Sequence, residues 1–130
     1  MIDGDFVPIT RPDGRPKTGN WMVDNAWDVL AKPGTPVLAI GDGIIDPKGV
    51  IGYRTEEGVT YGHRLTLLMG DGVRAYYANM GGFGPEVFPG AEINRGGHLG
   101  WVGIWKKDPT KSHLTIALER GDIMDYLESD

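Results

Sequence analysis

Two carboxylates stand four residues apart in Asp24-Asn25-Ala26-Trp27-Asp28, and a histidine lies far downstream in Ser112-His113-Leu114-Thr115. Carboxylates and imidazoles are the usual material of divalent-metal sites and of general acid–base pairs. Asp24 and Asp28 alone make a hard oxygen pair, suited to Mg²⁺ or Ca²⁺, which want more oxygens than are visible here. The plainer expectation is that Asp28 bonds loop N–H groups, that Asp24 lies in solvent, and that His113 sits at a strand edge bonded to a neighbour. His98 follows Gly96-Gly97 in a turn and is expected to be exposed. His63 is expected to face away from the Asp24–Asp28 region.

These residues need a scaffold that brings distant segments together. Gly34-Thr35-Pro36-Val37-Leu38-Ala39-Ile40-Gly41-Asp42-Gly43-Ile44-Ile45 reads as an entry turn, a short apolar strand, a Gly-Asp-Gly reversal that needs positive φ, and a second apolar strand. The clearest hairpin is Gly62–Met69 with Val73–Met80: Leu65, Leu67 and Met69 alternate with other residues, and so do Val73, Ala75 and Tyr77, around Gly70-Asp71-Gly72. Pro89 to Gly100 gives two short strand pieces around Gly96-Gly97, Trp101 to Trp105 an apolar strand, and His113 to Leu118 a closing strand. Helix is expected only near Asp122–Leu127, and residues 21–33 read as irregular strand. Residues 1–20 carry Pro8, Pro12 and Pro16 and read as an extended N-terminal arm, with one domain over 21–130.

The 130 residues suit one modest core, and 21 Gly with 9 Pro punctuate short apolar runs. Strands at that spacing predict an all-β antiparallel sandwich or barrel. A net charge of −5 leaves no basic footprint for nucleic acid. The absence of cysteine excludes disulfides and thiolate metal sites. No apolar run is long enough for membrane insertion. The acidic start, Met1-Ile2-Asp3-Gly4-Asp5-Phe6, lacks a signal-peptide pattern, so the chain is expected to be leaderless.

From about Asp24 to Glu119 the chain resembles the lysostaphin-type zinc endopeptidases, which cleave peptide cross-bridges of bacterial peptidoglycan. Trp27 to Gly43 is similar to the family's run of Asp, a small loop, Gly-Thr-Pro-Val and an Asp-Gly turn. Asp71 to Met80 is similar to its central hairpin, Pro89 to Gly103 to its Gly/Ile segment, and His113 to Glu119 to its last strand. The resemblance implies a barrel-sandwich hybrid fold. It also places the family's zinc ligands on Asp24, Asp28 and Thr115, and its two assisting histidines on Asn79 and His113. Only Asp28 and His113 match the family's residue types.

A threonine hydroxyl is a poor Zn²⁺ ligand, and without zinc there is no Lewis acid for the peptide carbonyl. Asn79 can donate a hydrogen bond but cannot shuttle a proton. Zinc is therefore expected to be lost and the domain to be catalytically silent, with Asp24, Asp28 and Thr115 vestigial metal positions and His113 and Asn79 vestigial catalytic ones. Aromatic residues (Trp21, Trp27, Trp101, Trp105, Tyr76 and Tyr77) could line a groove for glycan or peptide. Asp24, Asp28, Tyr77 and Trp105 are the binding candidates, with core packing the plainer expectation for Trp101 and Tyr77. The implied role is a structural or cell-wall-binding module, in contact with peptidoglycan or with other subunits of an assembly such as a phage tail or virion. The competing reading is an active peptidase with a rearranged site on Asp28, His113 and Asp24 or His63. A biotinyl or lipoyl carrier domain ranks last, since neither Gly41-Asp42-Gly43 nor Gly96-Gly97 carries the lysine such a domain needs at a hairpin tip.

Overall fold

Two-residue alternation builds the centre of the fold. In β10, His113–Leu118, the side chains of Leu114, Ile116 and Leu118 are fully buried, while His113 and Thr115 on the other face are half-buried. In β2, Ala26–Ala31, buried Trp27, Val29 and Ala31 face the same core, and Asp28 takes the opposite face. Each fully buried Leu or Ile contributes about 1.5–3 kcal/mol. This periodicity fixes register, because a one-residue slip would turn the apolar set outward.

The computed structural model describes residues 6–10, 19–49, 51–56, 59–104 and 109–127. The remaining strands are β1 Phe6–Thr10, β3 Pro36–Leu38, β4 Gly43–Ile45, β5 Ile51–Glu56, β6 Val59–Met69, β7 Arg74–Phe83, β8 Glu92–Ile93 and β9 His98–Val102. Helix among the described residues is confined to α1 Trp21–Asp24, α2 Met124–Leu127 and a 3-10 turn at Pro109–Lys111. The architecture is thus the expected all-β, antiparallel one. Pairing runs β1-β2-β10-β7-β6-β4-β8, with β5 on β6 and with β9 joining β3 and β7. The expected hairpin of β6 and β7 is present, with Leu65 opposite Tyr77 and Leu67 opposite Ala75.

Several local expectations change. Trp21–Asp24 is a helical turn, capped by the Asn20 side chain, which accepts from the Met22 N–H at 3.0 Å. Within the proposed arm, Phe6–Thr10 pairs with β2 as the outermost strand, a place where Pro8 removes no interior ladder bond. Residues 1–5 and 11–18 of that arm lie outside the described residues. Gly41-Asp42-Gly43 is not a hairpin reversal. Neither glycine has positive φ, and β3 and β4 pair with other strands, β3 with β9 and β4 with β6 and β8. Gly43 is needed for close approach instead: a Cβ there would strike the Leu68 carbonyl of β6.

Two acidic groups tie turns to the sheet. Asp46 is buried and accepts from Arg74 Nε at 3.0 Å, and Arg74 Nη1 also reaches Glu119 at 3.2 Å. Burial opposes ionisation of Asp46, but the Lys48 N–H and the Arg74 guanidinium outweigh it and hold the carboxyl below its ordinary value. Asp71 is likewise held low: burial works against it, while the Tyr126 hydroxyl, donating at 2.7 Å, and the Val73 N–H more than compensate. A carboxyl depressed in the folded state binds its proton more readily when unfolded. Its stabilisation is therefore complete above the unfolded value of 3.8 and is lost as pH falls through the folded one. The urea midpoint should hold steady from neutrality to about pH 5 and then drop. The drop should be shallower in Asp46→Asn/Asp71→Asn; an identical acid limb in that variant would contradict the assignment.

Candidate functional site

The polar face of β10 meets those of β2 and β7 at one place. Thr115 lies opposite Asp28 on one side and Ala78 on the other. Strand β7 pairs with β10 only through Ala78; beyond it, from Met80, the same edge pairs with β9. Asn79 occupies the fork. Plain alternation after Ala75 and Tyr77 would send its side chain into the core. A bulge intervenes: the β6–β7 register shifts between His63 and Leu65, and Asn79 is the one described non-glycine residue with positive φ, 65°. Asparagine tolerates this left-handed conformation better than most residues, and bulges commonly re-aim a side chain beside a site.

The re-aimed side chain closes a hydrogen-bonded chain. Thr115 Oγ1 lies 2.9 Å from Asp28 Oδ1, Asn79 Nδ2 lies 3.0 Å from Thr115 Oγ1, and the same Nδ2 lies 3.0 Å from His113 Nε2. At the far end His113 Nδ1 is 3.0 Å from the Lys111 carbonyl oxygen. Both ends accept only, and that fixes every proton. Thr115 donates to Asp28, so it must accept from Asn79. His113 donates from Nδ1 to Lys111, so its Nε2 carries a lone pair, which takes the second Asn79 N–H. The imidazole is the neutral Nδ1–H tautomer, and the lone pair that would ligate a metal or take a proton faces an amide.

Asp24 ends α1, and its Oδ2 accepts from the Gly19 N–H at 2.8 Å. Among the described residues no three His, Asp, Glu or Cys side chains come together in a way that could hold a metal ion. The donor set does not fit zinc: one carboxylate, an imidazole already engaged, and a neutral hydroxyl.

Beside the chain runs a groove of about 380 Å³, with Asn79 on its wall. Trp101, expected in the core, is 39% exposed and lines it, as does Tyr53, 54% exposed. The indole of Trp101 lies over Gly81 and Gly82, where any Cβ would collide with it. His63, expected to face away, also lines the groove. It packs edge-on between the rings of Tyr53, 5.1 Å away, and Phe83, 5.3 Å away. Among the described residues its buried Nδ1 has no partner. Tyr77 is not a binding residue of the groove: as its plainer expectation has it, it is fully buried in the core and accepts from the Ile40 N–H at 3.1 Å, and burial pushes its phenol pKa up. Trp105 lies outside the described residues, and His98 is exposed as expected. Sequence reasoning missed His63 and the outward face of Trp101. The one signal was glycine: Gly62, with φ 65°, precedes His63, and Gly81-Gly82 leaves room for an indole.

Residues 23–125 match the profile of peptidase family M23, and the chain belongs to that family, with its peptidoglycan-hydrolase fold. It is similar to the catalytic domain of the antimicrobial peptidase lysostaphin from Staphylococcus simulans, at 25% identity over 81% of this chain and 79% of that one, with a TM-score of 0.62. It is also similar to Csd3 from Helicobacter pylori, at 25% identity over 73% of this chain and 23% of that one, with a TM-score of 0.57. A mutant catalytic domain of the prophage-encoded M23 protein EnpA from Enterococcus faecalis shares the fold, at 20% identity over 95% of this chain and 82% of that one, with a TM-score of 0.58. The chain spans 42% of full-length lysostaphin. A search of curated proteins gives no match. No helix among the described residues is long and apolar enough to cross a membrane.

Proposed function

We propose that this M23 domain does not hydrolyse and serves as a binding module for the peptide of bacterial peptidoglycan, held in the groove beside Asn79. One observation carries the reading. At the family's metal and proton-transfer positions the side chains are bonded to one another, Asp28 to Thr115, Thr115 to Asn79, and Asn79 to His113. A zinc ion would need both Asp28 and an uncommitted imidazole, and a general base would need the Nε2 lone pair that Asn79 occupies. The groove itself stays open and keeps its aromatic wall. The tip of a phage tail or a tail-like particle, where an inactive copy recognises the wall or plugs an assembly, is the setting this reading favours. EnpA, of the same fold, is prophage-encoded.

The test is direct. Purified protein is incubated with cross-linked peptidoglycan, with and without Zn²⁺, and the mixture is assayed for new amino groups and for protein sedimenting with the wall. Co-sedimentation without amine release is expected. Amine release, together with stoichiometric metal after dialysis, would establish a rearranged metal site instead.

A further inference from the structure

We draw no further inference here: the strongest candidate, the half-buried Arg64 guanidinium beside the Tyr76 hydroxyl on the polar face of β6 and β7, whose buried Nε has no partner among the described residues, carries nothing, because nothing in the structure shows what covers it.

Discussion

A chain carrying Asp24→His and Thr115→His should bind one zinc ion, while the natural chain after dialysis should retain none. The two introduced imidazoles and Asp28 would complete a three-ligand set, leaving the fourth tetrahedral position to water. The change also dismantles the present arrangement: at position 115 the hydroxyl that bridges Asp28 and Asn79 is gone, so the carboxylate regains an oxygen for metal. Zinc at about a hundred times its dissociation constant would stabilise the variant by about 2.7 kcal/mol. In a domain of this size that raises the melting temperature by roughly 10 °C. The natural chain should shift by less than about 1 °C, since a ligand with no affinity for the folded state shifts nothing. Differential scanning with and without Zn²⁺, alongside elemental analysis, decides the matter. An equal shift in the natural chain would mean that its donors are less committed than their geometry implies. No shift in the variant would mean that Asp24 and Thr115 do not correspond to ligand positions.

Gly100→Ala should cost at least about 3 kcal/mol, a severe effect for one methyl group. Gly100 lies in β9 against β7, where an added Cβ would strike the Gly82 carbonyl oxygen and come within 2.7 Å of Met80 Cε. Backbone is rigid on both sides, so the two strands must separate. Trp101, one residue further on, would then leave Gly81 and Gly82, and the groove would lose a wall. Gly70→Ala is the matched control. Its nearest contact would be 3.9 Å away, its φ is not in the left-handed region, and it is exposed, so little change is expected. Chemical denaturation of both variants, with indole fluorescence followed through the transition, measures the contrast. A small loss for Gly100→Ala would show that β7 and β9 can part cheaply.

The hairpin of β6 and β7, the closing strand and the family itself were legible because they rest on signals local in sequence: alternation, turn glycines, and segments in a fixed order. What escaped was what depends on partners far along the chain. Gly41-Asp42-Gly43 has the composition of a tight reversal, yet composition cannot separate a glycine chosen for positive φ from one chosen to let Leu68 approach, as Gly43 is. Trp101 looked like core because its neighbours are apolar; its indole lies outward only because Gly81 and Gly82, on another strand, make room for it. The bulge at Asn79 is an extra residue that no period reveals. The committed protons of Asp28, Thr115, Asn79 and His113 follow from three strands meeting, which no single stretch contains. Each residue of that junction could be singled out beforehand, but not the bonds among them.

The pairing of β2 with β10 joins Asp28 to Thr115 across 87 positions of sequence. Such a link cannot form early: a growing chain leaving the ribosome has its first half exposed long before the partner strand is made. Closing so long a loop also costs entropy before any contact repays it. The junction is therefore a late event in folding, and β2 must wait with one edge bare. Loss of the last strand would leave that edge open to pairing with other chains, so nascent or C-terminally truncated forms of this protein are its aggregation-prone species.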